Sequence, residues 1–242
     1  MIKHGAYSGL MTRLLNPSSP SLYIAAVLML IPVFAAAHNI SGANARFVEG
    51  LDGPAVIPYM YLGAKHMVTG YDHLLYLVGV VFFLRRLKDV ILYVSLFTLG
   101  HSITLMGGVL LQWNVNAYLI DTIIGLSVAY KAFENINGFQ QIFGFQLNAR
   151  VAVLIFGLFH GLGLATKLQD LSLSADSLVI NMLSFNVGVE IGQALALVCI
   201  VAILGLWRRR NSFQQQAFAA NTVLMSLGFM LAAYQFSAYL WA

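Results

Sequence analysis

Long apolar stretches recur along the chain, and each has about the length of a helix that crosses a bilayer. Six of them follow residue 56, and each is close to the roughly 20 residues that a spanning helix needs. They lie at 57–84, 90–111, 118–136, 149–167, 177–206 and 215–241. The pattern predicts an all-α membrane protein, a polytopic bundle of six transmembrane helices that forms a single domain over 57–241.

The amino-terminal residues follow a different pattern. Lys3 and Arg13 precede a short apolar run, which ends in three alanines at 35–37. A basic start, a short apolar core and small residues at its end are typical of a secretory signal peptide. We expect residues 1–37 to be a signal peptide that is cleaved after the last alanine, or a retained signal anchor that makes a seventh helix. Residues 38–56 would then be a short periplasmic segment.

Basic residues in the connecting loops predict the orientation. The loops at 85–89 and 208–214 each contain three Lys or Arg residues, the loop at 137–150 contains Arg150, and the loops between them, 112–117 and 168–176, contain none. Cytoplasmic loops carry an excess of these residues, so the three loops that contain them are predicted to lie inside. The alternate loops, 112–117 and 168–176, then face outward. We therefore expect a multi-pass membrane protein whose mature amino terminus and carboxyl terminus both face outward.

Composition narrows the range of partners. Only 9% of the residues are charged and 60% are hydrophobic, whereas soluble domains carry about 25% charged residues. The net charge of +4 comes from basic residues beside the spans, so no nucleic-acid partner is expected. No phosphate-binding loop or dinucleotide fingerprint occurs, so no nucleotide is expected either. The single cysteine, Cys199, allows neither an intrachain disulfide nor a thiolate metal cluster.

Ionisable side chains lie inside the predicted spans, mostly between the bilayer midplane and the outer face. Such a side chain costs at least about 2.5 kcal/mol at mid-membrane and usually marks an ion or proton path. The alternative role is hydrogen bonding between helices. The candidate metal-site residues are His66, Asp72, His73, His101, Asp121, His160 and Glu190. Further candidates are His38, which cleavage would make the mature amino terminus, and Asn186 and Gln193, which share a helix face with Glu190.

The spacing within the first span limits how its residues can share one ion. His66 and His73 are seven residues apart, which is roughly 10 Å along a regular helix. Both can reach one metal ion only if Gly70 distorts the helix, and two adjacent sites are the alternative. Asp72 is expected to serve a histidine of another helix or to bind the ion directly, rather than to orient His73, because neighbours in a helix point about 100° apart.

Two other spacings bear on packing and on the far end of the bundle. Gly157 and Gly161, and likewise Gly188 and Gly192, are four residues apart, a spacing that lets membrane helices approach closely. Lys131 and Glu134 lie toward the cytoplasmic end of the third span. Because they are three residues apart, we expect these two side chains to pair.

The donor types indicate the class of metal. Imidazole and carboxylate ligands without thiolate suit borderline divalent ions, namely Ni, Co, Zn, Cu(II) or Fe(II). Carboxylates also serve as partners that orient metal-binding histidines. The sequence therefore predicts a divalent transition-metal site in the membrane without identifying the metal.

At these residues the chain resembles the HupE/UreJ family of bacterial membrane proteins. Residues 66–73 match the family motif HxxxxxDH, and Phe159–Gly161 matches the start of its FHG motif. GHSITL at 100–105, and FNVGVEIGQ at 185–193, look like further family blocks. The fuller second motif would have His and Glu at positions 164 and 167, where this chain has Leu and Lys.

The resemblance implies a nickel or cobalt permease linked to hydrogenase and urease maturation, with His66, Asp72, His73 and His160 as metal residues. We expect the ion to enter from the periplasmic side and to leave past Lys131 and Glu134. Two alternatives remain open: a membrane metalloenzyme with a fixed metal site, and a metal-delivery or accessory subunit of a larger complex. Homo-oligomerisation is also compatible with the sequence.

Overall fold

The computed structural model describes residues 50, 53–169 and 177–242. All of them belong to one of the two units into which the chain divides, Ile40–Ala242. The predicted signal peptide or anchor and the candidate ligand His38 lie outside the described residues. Within the described part the secondary structure is helical and contains no strand. Its helices are α1 (Val56–Thr69), α2 (Tyr71–Val81), α3 (Leu87–Leu111), α4 (Ala117–Asn135), α5 (Gly138–Phe143), α6 (Ala149–Gln169), α7 (Leu178–Trp207) and α8 (Phe213–Trp241).

Four of the described helices, α3, α6, α7 and α8, are long and apolar enough to cross a membrane. Helix α2 is apolar but short. Helix α4 has 19 residues and carries Asp121, Lys131 and Glu134, which lower its mean hydropathy. The all-α membrane class is therefore confirmed.

The first predicted span, 57–84, contains two helices rather than one continuous helix. Helix α1 ends at Thr69 and α2 begins at Tyr71, and Gly70 between them has the extended torsions φ −75° and ψ 108°. Glycine is the poorest helix former after proline, and an extended residue interrupts the hydrogen-bond ladder. A second difference lies in the loop at 137–150, which contains the short helix α5.

Close glycine contacts join the long helices into three pairs. In the α1/α7 pair, a Cβ on Gly188 would overlap the carbonyl oxygen of Met60, and one on Gly192 would lie 2.6 Å from that of Ala64. Residue numbers rise together on both helices, so this pair is parallel. The small-residue spacing of Gly188 and Gly192 is thus confirmed as a packing motif.

The other two pairs are built in the same way. Between α3 and α6, a Cβ on Gly157 or Gly161 would overlap the carbonyl oxygen of Phe97 or His101, respectively, and this pair is also parallel. Between α4 and α8, Gly125 packs against Ala232 and Gly228 against Ala129, so this pair is antiparallel.

Arg208 fastens the end of α7 to the end of α2. Its guanidinium group donates hydrogen bonds to the carbonyl oxygens of Val81, Phe82 and Leu84, which lie at and just beyond the end of α2. Burial lowers the pKa of Arg208 below its ordinary value, and the nearby charge of Arg85 lowers it further. The contact places the two most basic loops at the same end of the bundle.

Candidate metal-binding site

Four histidines from four helices have their rings close together, with His73 at the centre. The centroid of the His73 ring lies 4.9 Å from that of His66, 5.0 Å from that of His160 and 5.8 Å from that of His101. These residues come from α1, α2, α3 and α6. We call this group the histidine cluster.

The break at Gly70 is what brings His66 and His73 together. On a regular helix their seven-residue separation would be roughly 10 Å, but the ring centroids are only 4.9 Å apart. Gly70 also leaves space for the side chains, because a Cβ there would lie 2.9 Å from Nδ1 of His73 and 3.1 Å from Oδ1 of Asp72.

Asp72 pairs with its sequence neighbour, and here our expectation from helix geometry was wrong. Its Oδ1 lies 2.9 Å from Nδ1 of His73, and both side chains are buried. The two residues are in the first turn of α2 beside Gly70, where no Cβ keeps them apart. Since a carboxylate only accepts, Nδ1 of His73 carries the hydrogen and Nε2 keeps its lone pair. No hydrogen-bond partner for that Nε2 is found in the part of the chain that the structure describes.

His160 is oriented in a comparable way by its own helix. Its Nδ1 lies 2.8 Å from the carbonyl oxygen of Phe156, which can only accept, so Nε2 again keeps the lone pair. His101 is fully buried, and neither of its ring nitrogens has a hydrogen-bond partner among the described residues. Buried polar atoms without partners are costly and call for an explanation. A metal ion that accepts these lone pairs is one such explanation.

Two aromatic side chains pack against the cluster. The Phe97 ring centroid is 4.9 Å from that of His160 and 6.2 Å from that of His101. The Tyr76 ring lies 5.3 Å from that of His160. The sequence analysis did not single out Phe97 or Tyr76, because an aromatic residue in an apolar helix has no distinguishing pattern.

The histidine side chains are close together but are not arranged as a finished coordination sphere. Across 53–169 and 177–242, no group of three or more His, Cys, Asp or Glu side chains could hold a metal ion in the arrangement shown. The rings meet edge to face, at interplanar angles of 73° to 77° around His73. Coordination by several of them therefore requires rotation of the imidazole rings.

Asp121, another candidate, lies in an ion pair. Lys167 Nζ is 2.9 Å from Oδ2 of Asp121 and 3.1 Å from Oδ1. This pair joins the start of α4 to the end of α6. Lys167 thus neutralises a carboxylate that the sequence analysis had included among the metal-site residues.

The three candidates on α7 do not share one environment. Glu190 is exposed and lines a cavity of about 640 Å³ between α3 and α7. Gln193 lines the same cavity but is buried, and its Oε1 accepts a hydrogen bond of 2.5 Å from Thr98. Asn186 is buried and donates to the carbonyl oxygen of Met182 one turn earlier. No ring or polar contact joins these three to the described histidines of the cluster.

Comparison with known proteins gives one match. The family model described as "HupE / UreJ protein" matches residues 43–242, which is most of the chain. No curated protein and no solved structure matches. The match includes every residue of the histidine cluster.

Proposed function

The chain belongs to the HupE/UreJ family, and from that premise we propose that it is a permease for a divalent transition-metal cation of the nickel or cobalt type. The observation that carries the proposal is the clustering of four imidazole rings from four helices around His73. Intramembrane histidines in such a group are typical of an ion path. The metal ion is the cargo, and the bilayer is the other partner.

We propose a ligand set of His66, His73, His101 and His160. Asp72 acts through His73, because a carboxylate bonded to Nδ1 fixes the ring and makes Nε2 a better donor. Neutral imidazoles favour borderline ions such as Ni, Co, Zn, Cu(II) and Fe(II) over Mg and Ca. The permease works passively or by exchange, since the sequence has no nucleotide-binding motif.

We further propose six spans, with α1 and α2 together as one broken span and α4 as another. The directions of the helix pairs support this threading. If α1 with α2, α3, α4, α6, α7 and α8 cross in alternation, then α1/α7 and α3/α6 must be parallel and α4/α8 antiparallel, as their glycine contacts indicate. The two basic loops that Arg208 brings to one end would face the cytoplasm. Both mature termini are then periplasmic, in the inner membrane.

A metal-delivery or accessory subunit of a larger membrane complex is the second candidate, and one observation favours it. The cavity between α3 and α7 exposes Glu190, which has no ion-pair partner in the described part of the chain. A carboxylate that faces lipid is costly unless something covers it. A partner protein that matures a metalloenzyme would provide such a cover.

Uptake by reconstituted protein tests the permease directly. We expect proteoliposomes that contain only this protein to take up Co²⁺, and His73→Ala or His160→Ala to lower the rate at least about tenfold because each removes an imidazole donor. Failure of the unaltered protein to transport, with metal binding retained, would favour the delivery subunit. Equal rates in all three proteins would refute the proposed site.

A further inference from the structure

A line of aromatic and polar side chains leads from the histidine cluster toward Lys131 and Glu134. The Tyr76 ring lies 5.3 Å from that of His160 and 5.9 Å from that of Phe156. Phe156 is in turn 5.0 Å from the ring of Tyr130 on α4. The line thus passes from α6 to α2 and α4, away from the break at Gly70.

The two tyrosine hydroxyls on this line are buried and lack hydrogen-bond partners among the described residues. Tyr76 is only 2% exposed. A buried hydroxyl without a partner costs about 1–3 kcal/mol, and such groups call for an explanation. Gly79, three residues after Tyr76 on α2, packs against the Lys131 side chain, and Tyr130 directly precedes Lys131 on α4. Both tyrosines therefore lie near the lysine that pairs with the Glu134 carboxylate.

The carboxylate of Glu134 forms an ion pair with Lys131. Nζ of Lys131 lies 3.0 Å from Oε2 of Glu134. The Lys131 stem runs along Gly79 of α2, where a Cβ would lie 3.2 Å from Cγ of the lysine. The Lys131 side chain is 9% exposed and the Glu134 side chain is 23% exposed. Glu134 is therefore the member of the pair nearer to the surface.

Glu134 also lines a small polar cavity. Its volume is about 90 Å³, and its lining includes Glu134, Asn137, Gln140 and Gln146. The two tyrosines, the Glu134 carboxylate and this cavity thus lie in order between the histidine cluster and the carboxyl end of α4.

We propose that Tyr76, Tyr130 and Glu134 form a second, oxygen-donor cation site, and that the Lys131 ammonium group closes it while no ion is present. The identity of the ion depends on the proposed function: it is the same divalent cation, which leaves the imidazoles for oxygen ligands on its way out. Carboxylate and hydroxyl oxygens bind a hydrated divalent ion more weakly than an imidazole group does. Weak binding at this point suits release.

The charge of Lys131 determines in which direction each substitution should change the cation affinity of the second site. A cation that approaches Glu134 must displace an ammonium group of like charge, and at a few ångströms this repulsion is large in a low-dielectric interior. Removal of the lysine charge should therefore strengthen cation binding at the second site, whereas removal of the carboxylate should abolish it. A purely structural ion pair predicts no such opposition of signs.

The test is Co²⁺ binding to the full-length protein in detergent, by titration calorimetry, with His73→Ala and His160→Ala present to disable the cluster. In that background we expect weak residual binding. Lys131→Met should tighten it at least about tenfold, and Glu134→Gln should remove it. Tyr76→Phe should weaken it, since one oxygen donor is lost.

The Lys167–Asp121 pair provides a matched control. Lys167→Met also removes a lysine from an ion pair with a carboxylate, but at the start of α4 rather than at its end. It should leave the residual Co²⁺ affinity unchanged. No tightening in Lys131→Met, or equal tightening in Lys167→Met, would overturn the second site. Lys131→Gln gives a second neutral variant if Lys131→Met does not fold.

Failure of this proposal can be distinguished from failure of the proposed function. Opposite effects of Lys131→Met and Glu134→Gln on binding support the second site even if reconstituted protein transports nothing. Transport that depends on His73, with no effect of either variant on residual binding, supports the permease and overturns the second site. If the second site lies on the exit route, Glu134→Gln should also slow Co²⁺ uptake by protein with an intact cluster.

Discussion

His73 and Asp72 are neighbours in sequence, yet their side chains meet because the helix begins at that point. On a continuous helix they would diverge by about 100°. Gly70 interrupts the helix and has no Cβ to occupy the space that both side chains use. One residue without a side chain thereby creates both the His73–Asp72 hydrogen bond and the approach of His66.

The first prediction concerns the carboxylate that orients His73. Asp72→Asn keeps an oxygen acceptor but removes the charge that makes Nε2 a better donor. We expect the Co²⁺ affinity of the cluster to fall about 10- to 100-fold, as for other metal-ligand partners. Calorimetric titration of purified protein measures the change.

Asp121→Asn is the matched control for this experiment. It also converts a buried aspartate to asparagine, but that aspartate pairs with Lys167 rather than with a histidine. Its Co²⁺ affinity should stay within about twofold of the unaltered protein, because no metal donor is affected. A larger loss in Asp121→Asn than in Asp72→Asn would mean that the wrong carboxylate has been assigned to the site.

At the scale of the element, paired glycines decide how the ligands meet. Helices α3 and α6 carry His101 and His160, and their backbones touch at Gly157 and Gly161. Without a Cβ at these positions the helices approach closely enough for short imidazole side chains to share one space. The close contact between α3 and α6 therefore helps to set the positions of the His101 and His160 rings.

The second prediction tests that link. In Gly161→Ala the new methyl group would overlap the carbonyl oxygen of His101 and lie 2.5 Å from Oγ1 of Thr104. The two helices must separate, so we expect a destabilisation of about 1–3 kcal/mol and a loss of bound metal. A thermal-shift assay and metal analysis on the same sample measure both effects.

Gly205→Ala is the corresponding control on α7. A Cβ there has no atom within 4 Å, and alanine is the better helix former by about 1 kcal/mol. Stability should stay the same or rise, with metal content unchanged. If both alanine variants lose metal equally, close packing at Gly161 is not what positions the histidines.

At the scale of the whole molecule, the outer surface of the bundle is apolar while polar side chains lie within. Exposed residues include Leu195, Val198 and Ile203 on α7, whereas His73, His101 and His160 are at most 3% exposed. Large apolar patches on a monomer mark a surface that something else covers. For helices of this length and hydropathy the cover is lipid.

The third prediction concerns topology. In a Cys199→Ser background, which removes the native exposed thiol, a cysteine placed at Lys88 should react only with reagents that reach the cytoplasm. One placed at Asn114, in the loop between α3 and α4, should react with an impermeant maleimide from the periplasm. Labelling of both positions from the same side would refute the alternating threading.

Much of the fold could be predicted from the sequence because the apolar runs are long and the basic loops alternate. The helices α3, α6, α7 and α8 begin and end close to the expected residues. The sequence alone did not predict that the helix breaks at Gly70, only that His66 and His73 could share an ion if it did. An isolated glycine in an apolar helix is tolerated in most contexts. The roles of Tyr76 and Phe97 depend on which helices are neighbours, and one sequence does not contain that information.

The candidate site was predictable to a similar degree. Four histidines in apolar spans indicate an intramembrane site without any knowledge of packing. The partners of Asp121 and the exposure of Glu190 depend instead on the rotation of α4, α6 and α7 about their axes. A polar stripe such as Asn186, Glu190 and Gln193 shows that a helix has a polar face but not what that face contacts.

The most direct test of the central claim, that the histidine cluster binds a transition metal, is elemental analysis by mass spectrometry on detergent-purified protein. The unaltered protein, after equilibration with Ni²⁺ or Co²⁺ and removal of the excess, should retain about one ion per chain, as expected for a site built from imidazole donors. His73→Ala and His160→Ala should each lose it while the protein still inserts into the membrane. Equal metal content in all three proteins would contradict the account.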